Sequence, residues 1–488
     1  MKWSIIGAAY KGRSIGLDAQ ECVNLYPEAS PSAEAKNAVS LIGTPGLKIL
    51  ATIGTQSAGC RGMYATARSR LLSIYGNTLY EILPDYTYVV RGTLNTYTGT
   101  VSFAEIDKQV DPTSAAVSHV MMVDGSNGYI LNTLTNVFSI IGGDYLPGTS
   151  VTSQNGFFIQ NLNDNNKFIY SNQYDGLTWE ASLNYFGAES SPDPILWLTV
   201  VNNQLWLIGS SSIEIWNFTG DPDFLWQRAG IGYINTGMAG RYCATTLLGN
   251  NYWLGSDREG QNIFWKGGIS YTPERISTHA IEYILTMLDR VDDCIALSYV
   301  QEGHQFVVFN FPTGNRTLVY DVATDLWHER GSFNNITGLN DRHRAVHIAN
   351  WSNKILVGDH SNSCLYEWSL DQNTDDGKII KRIRVAPHIH NERHRVFFHQ
   401  AEIDLVRGQG LTGNADPHIM LDISNDGGYT YVPLQIMSTS GRIGARLTRC
   451  RWNKLGMSRD RVFRITMTDA VKWHLIDGRI TADSDRSA

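Results

Sequence analysis

Residues 204–279 read QLWLIGSSSIEIWNFTGDPDFLWQRAGIGYINTGMAGRYCATTLLGNNYWLGSDREGQNIFWKGGISYTPERISTH. Apolar runs in this stretch, such as 205–208 and 213–216, alternate with clusters of Gly, Ser, Asn and Asp. That alternation is typical of short antiparallel strands joined by tight turns. One unit, a strand, a polar turn and a second strand that ends in Trp, occurs twice, at 205–216 and 252–265.

The same hairpin recurs along the chain. Its copies lie at 71–82, 121–131, 157–170, 205–216, 252–265, 306–320 and 355–368. They are spaced roughly 35 to 55 residues apart, which is the period of a propeller blade rather than of a helical solenoid. The repeat is degenerate and carries no WD or kelch consensus. We therefore predict an all-β chain built on a six- or seven-bladed β-propeller.

Composition agrees with a β-rich chain. Of its 488 residues, 42% are hydrophobic, 11% are aromatic and 18% are charged. The apolar run near the N-terminus is interrupted at Tyr10 and Lys11, so neither a secretory leader nor a membrane anchor is expected. The six cysteines include no Cys-x-x-Cys pair, which favours reduced thiols in a protein made in a cytoplasm.

We divide the chain into three parts. Residues 1–56, rich in Pro, Ser and Ala, are predicted to form an extended arm. Two roles for this arm remain open: it closes the propeller ring by pairing with the last blade, or it reaches a neighbouring subunit. Residues 57–370 form the propeller, with one amphipathic helix at 276–292 that Ser277 or Thr278 caps.

Residues 371–488 differ from the rest in charge. Between 378 and 479 there are 17 Lys or Arg against 9 Asp or Glu, whereas residues 1–377 hold 22 against 36. Strand-like patterns continue through this basic part. We predict a second β domain of the sandwich type, which either closes the propeller or stands separately.

Several motifs suggest catalysis or metal binding but are better explained otherwise. Residues 424–431, SNDGGYTY, match the Asp box of sialidase-like propellers, in which the Asp shapes a turn and performs no chemistry. His388 and His390 share one face of a strand and could chelate a metal, but a solvated basic edge is the simpler interpretation. We therefore assign no catalytic, metal or cofactor residues.

The basic stretch is the strongest electrostatic feature. Candidate contact residues for a partner or for DNA are Arg442, Arg446, Arg449, Arg451, Arg459, Arg461 and Arg464. Contact with nucleic acid through the phosphates is one interpretation. Docking onto an acidic protein surface, such as the propeller of a neighbouring subunit, is the other and the preferred one.

Five segments, in this order, resemble the tail nozzle proteins of short-tailed phages, also called packaged DNA stabilization proteins or tail accessory factors. They are NLYPE, GTPGL, SSSIEIWNFTG, GMAGRYCATT and ISTHAIEYIL. The similarity covers most of the propeller and is weak in the C-terminal third. It contains no motif that identifies a catalytic residue.

This resemblance implies a structural protein of the virion tail that is assembled in the host cytoplasm. It implies a homo-oligomeric, hexameric ring that extends the channel for packaged double-stranded DNA, and no membrane anchor. The expected partners are the adaptor of the head-to-tail connector, a tail needle or plug, and tail fibres or tailspikes. The alternative is a carbohydrate-active or glycan-binding propeller, which would need Arg, Tyr and carboxylate side chains converging at one propeller mouth.

Overall fold

The computed structural model of the chain describes residues 2–30, 32, 34, 36–54, 58–110, 114–256, 262–392, 394–434 and 437–484. Its N-terminal segment contains six short strands. They are β1 (Lys2–Trp3), β2 (Tyr10–Lys11), β3 (Ala19–Val23), β4 (Leu25–Ala29), β5 (Val39–Gly43) and β6 (Gly46–Thr52).

Four antiparallel units of four or five strands follow, and we name them blades 1 to 4. Blade 1 contains β7 (Cys60–Ala65), β8 (Leu71–Tyr75), β9 (Thr78–Ile82) and β10 (Tyr88–Thr93). Blade 2 contains β11 (Ser102–Lys108), β12 (Val117–Val123), β13 (Gly128–Asn132) and β14 (Val137–Ile140). Blade 3 contains β15 (Val151–Gln154), β16 (Phe157–Asn161), β17 (Lys167–Asn172), β18 (Asp175–Trp179) and β19 (Tyr185–Gly187). Blade 4 contains β20 (Ile195–Val201), β21 (Gln204–Gly209), β22 (Ile213–Phe218) and β23 (Trp226–Ile234).

Three further blades complete the ring, with one helix between blades 5 and 6. Blade 5 contains β24 (Gly237–Met238), β25 (Ala244–Leu247), β26 (Asn250–Ser256), β27 (Asn262–Gly267) and β28 (Glu274–Arg275), and helix α1 (His279–Thr286) comes next. Blade 6 contains β29 (Ile295–Gln301), β30 (His304–Phe311), β31 (Arg316–Asp321), β32 (Leu326–Phe333) and β33 (Asn340–Arg342). Blade 7 contains β34 (Ala345–Trp351), β35 (Lys354–Asp359) and β36 (Cys364–Ser369).

Each of the seven hairpins found in the sequence is the central strand pair of one blade. Their side chains are buried because the central strands of a blade pack against the next blade on both faces. Trp206 and Trp253, for example, are buried in one hydrophobic cluster shared by neighbouring blades. The prediction of an all-β propeller is confirmed, and the blade count is seven.

Helix α1 is shorter than the predicted span of 276–292. It begins after Thr278, whose side chain accepts a hydrogen bond from the Ile281 amide, so the cap is one of the two residues that the sequence offered. Within the described residues no helix has the length and apolarity needed to cross a bilayer. All six cysteines are free thiols.

The C-terminal part forms a β-sandwich. After β37 (Thr374–Asp375) and β38 (Lys378–Ile379) beside blade 7, its strands are β39 (Arg382–Val385), β40 (Ile389–His390), β41 (Val396–Leu405), β42 (His418–Ser424), β43 (Val432–Pro433), β44 (Ser438–Thr439), β45 (Cys450–Ser458), β46 (Asp460–Met467) and β47 (His474–Ser484). One sheet has the order β4-β5-β47-β41-β45, and the other runs β3-β39-β46-β42-β43. Their facing side chains, such as Trp452 and Phe463, form one buried core.

The strands of the N-terminal segment pair within the chain. Strand β6 pairs antiparallel with β36 and supplies the outer strand of blade 7, so the propeller includes residues outside 57–370. Strand β3 lies between β32 of blade 6 and β39 of the sandwich, while β1 and β5 pair with β47. Of the two roles considered for residues 1–56, this pairing is the ring-closing one.

Two buried polar side chains hold the N-terminal segment in place: Asn24 joins it to blade 6 and to the start of the sandwich, and Arg384 of the sandwich joins it at Ile5 and Ala8. Asn24, in the left-handed conformation at φ 55°, donates to the carbonyls of Gly331 and Lys381, at 2.9 Å each, and accepts from the Gly331 amide. Arg384 donates to the carbonyls of Ile5 and Ala8, at 2.6 and 2.9 Å. Because each bond crosses between strands distant in sequence, the two domains are held in one orientation.

Two imidazoles are buried in blades 6 and 7. His343 stacks on Trp368 with ring centroids 5.0 Å apart, and its Nδ1 accepts the Ala345 amide. Burial lowers the pKa of His343 to about 3. His328 accepts from Nε of Arg330, and burial lowers its pKa well below the usual value. Both imidazoles are therefore neutral in the folded chain at neutral pH.

We predict that Leu47→Ala lowers the free energy of unfolding by about 3 kcal/mol, because Leu47 is fully buried in the ring-closing strand. Ile49→Ala is the matched control, since Ile49 lies on the same strand and is 46% exposed. It should cost less than about 1 kcal/mol. Urea unfolding followed by Trp fluorescence measures both, and equal losses would show that β6 does not close the ring.

A second prediction concerns acid. Unfolded His titrates near pH 6.5, whereas folded His343 stays neutral down to about pH 3. The unfolded state therefore binds more protons between these values, so the stability that neutral His343 provides at pH 7 is lost as the pH falls below about 6.5. Between pH 7 and pH 5 the free energy of unfolding of the unaltered chain should fall by about 1–2 kcal/mol more than that of His343→Asn. Urea unfolding of both chains at the two pH values measures this difference. Exposed His390→Asn should behave like the unaltered chain. If His343→Asn lost as much stability as the unaltered chain between these pH values, His343 would not be the group responsible for the loss.

Candidate assembly interface

The predicted basic stretch does not form one surface. Arg442, Arg446, Arg449, Arg451 and Arg459 are exposed, Arg464 is half-buried and Arg461 is buried. The exposed residues lie on the loop 440–449 and along β45, with Arg459 in the turn that follows it. The structure thus separates cations that are available for a partner from cations that stabilise the sandwich.

Arg461 is a correction to the predicted contact set. Its guanidinium donates to the carbonyls of Leu455 and Met457, at 2.6 and 3.0 Å, and to Oδ1 of Asn425. It also lies over the ring of Phe398, with 4.5 Å between Cζ and the ring centroid. Burial lowers its pKa to about 10. Alternation along β46 places Arg461 and Phe463 on the same face, and only the structure shows that this face points into the sandwich.

Two more of the predicted arginines are engaged within the sandwich. Arg449 forms a two-pronged ion pair with Glu402, at 2.9 and 2.5 Å. Arg464 pairs with Asp422 at 2.7 Å and covers the ring of Tyr431. Outside these pairs, the positive charge of the face comes from Arg442, Arg446, Arg451 and the neighbouring Lys454.

The axis of the propeller is closed to a DNA duplex. The first strands of successive blades contact each other round the axis and are joined by hydrogen bonds such as Ser153 Oγ to the Glu105 carbonyl, at 2.7 Å. At the end where these strands begin, the hydroxyl of Tyr242 in blade 5 donates to the carbonyl of Thr100, which leads into blade 2, at 3.2 Å. These two blades are three positions apart in the ring, so this bond crosses the mouth.

The cleft beside helix α1 has the character of a domain junction. It encloses about 630 Å³ between α1, the N-terminal segment, blade 6 and the sandwich. Four of its charged side chains form ion pairs, Lys11 with Glu21 at 2.5 Å and Arg316 with Glu329 at 3.9 Å, and Lys381 donates to the Gly338 carbonyl. These contacts engage most of the charged side chains of the cleft within the protein.

The motifs that suggested chemistry have structural partners. Asp426 of the Asp box accepts from Ser424 and from the amide and hydroxyl of Thr430, which holds its pKa well below the usual range. This box is a turn of the sandwich, not of the propeller. His388 contacts Asp460 through Nδ1 and the Ile15 carbonyl through Nε2, each at 3.0 Å. In the described part of the chain no three His, Cys, Asp or Glu side chains are placed to bind a metal ion.

Two family models match the chain and divide it as the sheets do. Residues 5–375 match the model described as the β-propeller of bacteriophage P22 Gp10, and residues 381–483 match that of its β-sandwich. The chain belongs to the P22 Gp10 family. The resemblance seen in the sequence is thereby confirmed, and the blades and sandwich correspond to the two parts of this family.

A curated relative agrees with this assignment. The tail hub protein gp10 of Salmonella phage P22 is 22% identical over 378 residues, which are 75% of each chain. Membership of the Gp10 family makes the chain a structural protein of the phage tail and locates it in the virion tail. It also confirms the expected non-enzymatic role.

Solved structures show more distant likeness. The extracellular domain of a hybrid two-component system of B. thetaiotaomicron has a TM-score of 0.44 at 8% identity and covers 80% of this chain, which spans 44% of that protein. The WD40 repeats of RRP9 have a TM-score of 0.39 at 7% identity, covering 67% of this chain and 99% of that one.

We predict that Arg461→Met lowers the free energy of unfolding by about 3 kcal/mol, because two buried carbonyls and Asn425 lose their donor. Arg446→Met is the matched control: its side chain is exposed, so the loss should stay below about 0.5 kcal/mol. Urea unfolding curves measure both variants. If Arg461→Met were as stable as the unaltered chain, Arg461 would not be a structural residue of the sandwich and would again be a candidate contact residue.

Proposed function

We propose that the chain is the tail nozzle, which assembles as a homo-oligomeric ring below the portal and adaptor and extends the channel for packaged DNA. Membership of the P22 Gp10 family is the observation that carries this proposal. The hexameric order, retention of the DNA and attachment of a plug and of fibres or tailspikes belong to the same proposal.

The closed propeller axis supports a ring. Since the Tyr242–Thr100 hydrogen bond crosses the mouth of the propeller, a duplex has no path through one copy. A DNA channel in this family member therefore runs between copies, along the symmetry axis of the ring. The wall of that channel is formed by outer surfaces of the subunits.

Charge supports a channel that does not hold DNA tightly. The chain has a formal net charge of −7, and residues 1–377 carry 36 Asp or Glu against 22 Lys or Arg. Each phosphate that Lys or Arg neutralises adds salt-dependent affinity and slows movement. An acidic or neutral wall lets DNA leave the head without strong binding to the protein.

No observation favours the carbohydrate-active alternative. A sialidase needs several arginines at the propeller mouth for the substrate carboxylate, but Arg61, which lies there, is buried. Its guanidinium donates to the carbonyls of Gly76, Thr96, Thr98 and Gly99. These bonds join the turn between β8 and β9 to the connection from blade 1 to blade 2 and occupy the N–H groups of Arg61.

The assembly state tests the proposal. The purified chain is mixed with portal–adaptor complexes of the same phage, and mass photometry or native mass spectrometry gives the mass added. We expect one fixed mass step, which corresponds to a closed ring of copies, and no step with portal that lacks the adaptor. Chain that adds no ring, or that binds or cleaves glycans instead, would contradict the nozzle.

DNA retention is tested separately. Filled heads that carry portal and adaptor are incubated with or without the chain, and DNA released is measured by its sensitivity to DNase. We expect the chain to reduce release when the other tail proteins are supplied. Equal release with and without the chain would remove DNA retention from the proposed role while leaving the ring intact.

A further inference from the structure

The outer edge of the sandwich is both basic and apolar. We call it the basic edge and define it by the exposed side chains of Arg442, Arg446, Arg451 and Lys454. Large apolar side chains alternate with these cations: Ile443 is 63% exposed, Leu447 is 93% exposed and Met457 is 50% exposed. Cations around exposed apolar side chains are the composition of a protein interface, in which Arg and aliphatic groups are buried together.

Strand β45 leaves this edge open. It is the last strand of its sheet, whereas β4, at the other end, contacts blade 6. The basic edge is therefore the side of the sandwich that lies farthest along the sheet from the propeller. Lys454 and Gly456 have φ values of 59° and 76°, which interrupt the regular strand and discourage pairing with a further strand. The edge presents side chains to a partner, not a strand-pairing backbone.

The matching charge lies on the propeller. Residues 141–236, which contain blades 3 and 4, hold 9 Asp or Glu against 2 Lys or Arg, half of the excess negative charge of residues 1–377. Four of their exposed acidic side chains lie at the end of the propeller where the first strand of each blade begins, and we call them the acidic rim; they are Asp144, Asp164, Glu180 and Glu189. The exposed apolar side chain of Leu183 lies beside them, since the Leu183 amide donates to the Glu180 carbonyl.

The ring places the two surfaces at opposite ends of one chain. The sandwich is joined to blade 6 through β3 and lies beside blade 7, where β37 pairs with β6. In a ring of seven blades, blades 3 and 4 are the two opposite blade 7. One copy therefore cannot bring its own basic edge onto its own acidic rim, but a second copy can supply the complementary surface.

We propose that the basic edge is the docking site for a second copy of this chain and binds the acidic rim of blades 3 and 4 on the next subunit. The contact is head-to-tail, so each copy uses a different surface on each side, and repetition of the contact closes a ring. This inference rests on the proposed nozzle function and names the contact that builds its ring.

A DNA partner fits the basic edge less well. Binding to phosphates needs cations but no exposed aliphatic side chains, and Ile443 and Leu447 would stay exposed on DNA. The acidic rim also supplies opposite charge from the chain itself. Attraction between surfaces of opposite charge speeds association and weakens as salt rises.

Charge reversal tests the contact on the full chain. Arg442→Glu with Arg446→Glu places like charges together in the proposed interface, so we expect ring formation on portal–adaptor complexes to need at least about tenfold more protein. Ring formation by the unaltered chain should weaken as salt is raised from about 0.1 M to about 0.5 M. Mass photometry counts the completed rings in each case.

A charge swap distinguishes a specific contact from general damage. Glu180→Arg with Glu189→Arg should also impair ring formation, and the chain that carries all four substitutions should recover to within about threefold of the unaltered chain. Lys48→Glu with Lys378→Glu is the matched control, because it makes the same change in net charge at exposed positions beside blade 7. This control should assemble normally.

Each outcome decides one point. If the unaltered chain forms no ring, the nozzle function fails. If it forms rings and the Arg442/Arg446 variant forms them equally well, or the four-fold variant does not recover, the head-to-tail contact is overturned and the nozzle function stands. If that variant keeps its rings but loses affinity for a double-stranded DNA fragment, measured by fluorescence anisotropy, the basic edge is a DNA contact instead.

Discussion

Closure of the propeller ring by a strand from the other end of the chain is the contact on which the rest of the structure depends. Blade 7 has three consecutive strands of its own and takes its outer strand from Gly46–Thr52. The carbonyl of Pro45 accepts the indole N–H of Trp368, which lies 323 residues away. Because so long a loop must close before this contact forms, the pairing costs conformational entropy and becomes favourable only when the other blades are folded.

The same N-terminal segment also joins the two domains. Between Lys2 and Thr52 the chain pairs first with the sandwich, then lies between the sandwich and blade 6, and finally completes blade 7. Asn24 then bonds backbone groups of blade 6 and of residue 381, while Arg384 of the sandwich bonds the segment at Ile5. Ring closure and domain docking are therefore one event, and the positions of the acidic blades and the basic edge follow from it.

Burial decides what each charge in this chain does. Arg461 and Arg384 are buried, and their N–H groups donate to backbone carbonyls. These hydrogen bonds hold neighbouring segments of the chain in place. Arg449 and Arg464 are each held by a carboxylate on the neighbouring strand of the same sheet. Arg442 and Arg446 extend into solvent on a loop. Because a buried charge without partners is costly, the hydrogen bonds of Arg461 and Arg384 are essential to folding. Only the exposed Arg442 and Arg446 have charge available to attract another molecule.

The sequence alone determined the features that arise from neighbouring residues. Seven hairpins, a helix cap at Ser277 or Thr278, the Asp-box turn and the excess of basic residues after 377 could all be read from it, because strand alternation and turn chemistry act over a few positions. The family resemblance was also visible. Only the tertiary structure decided that residues 46–52 close the ring, that Tyr242 crosses the axis and that Arg461 points inward. Each of these depends on a partner far away in sequence, and a local pattern contains no information about which distant strand will lie beside it.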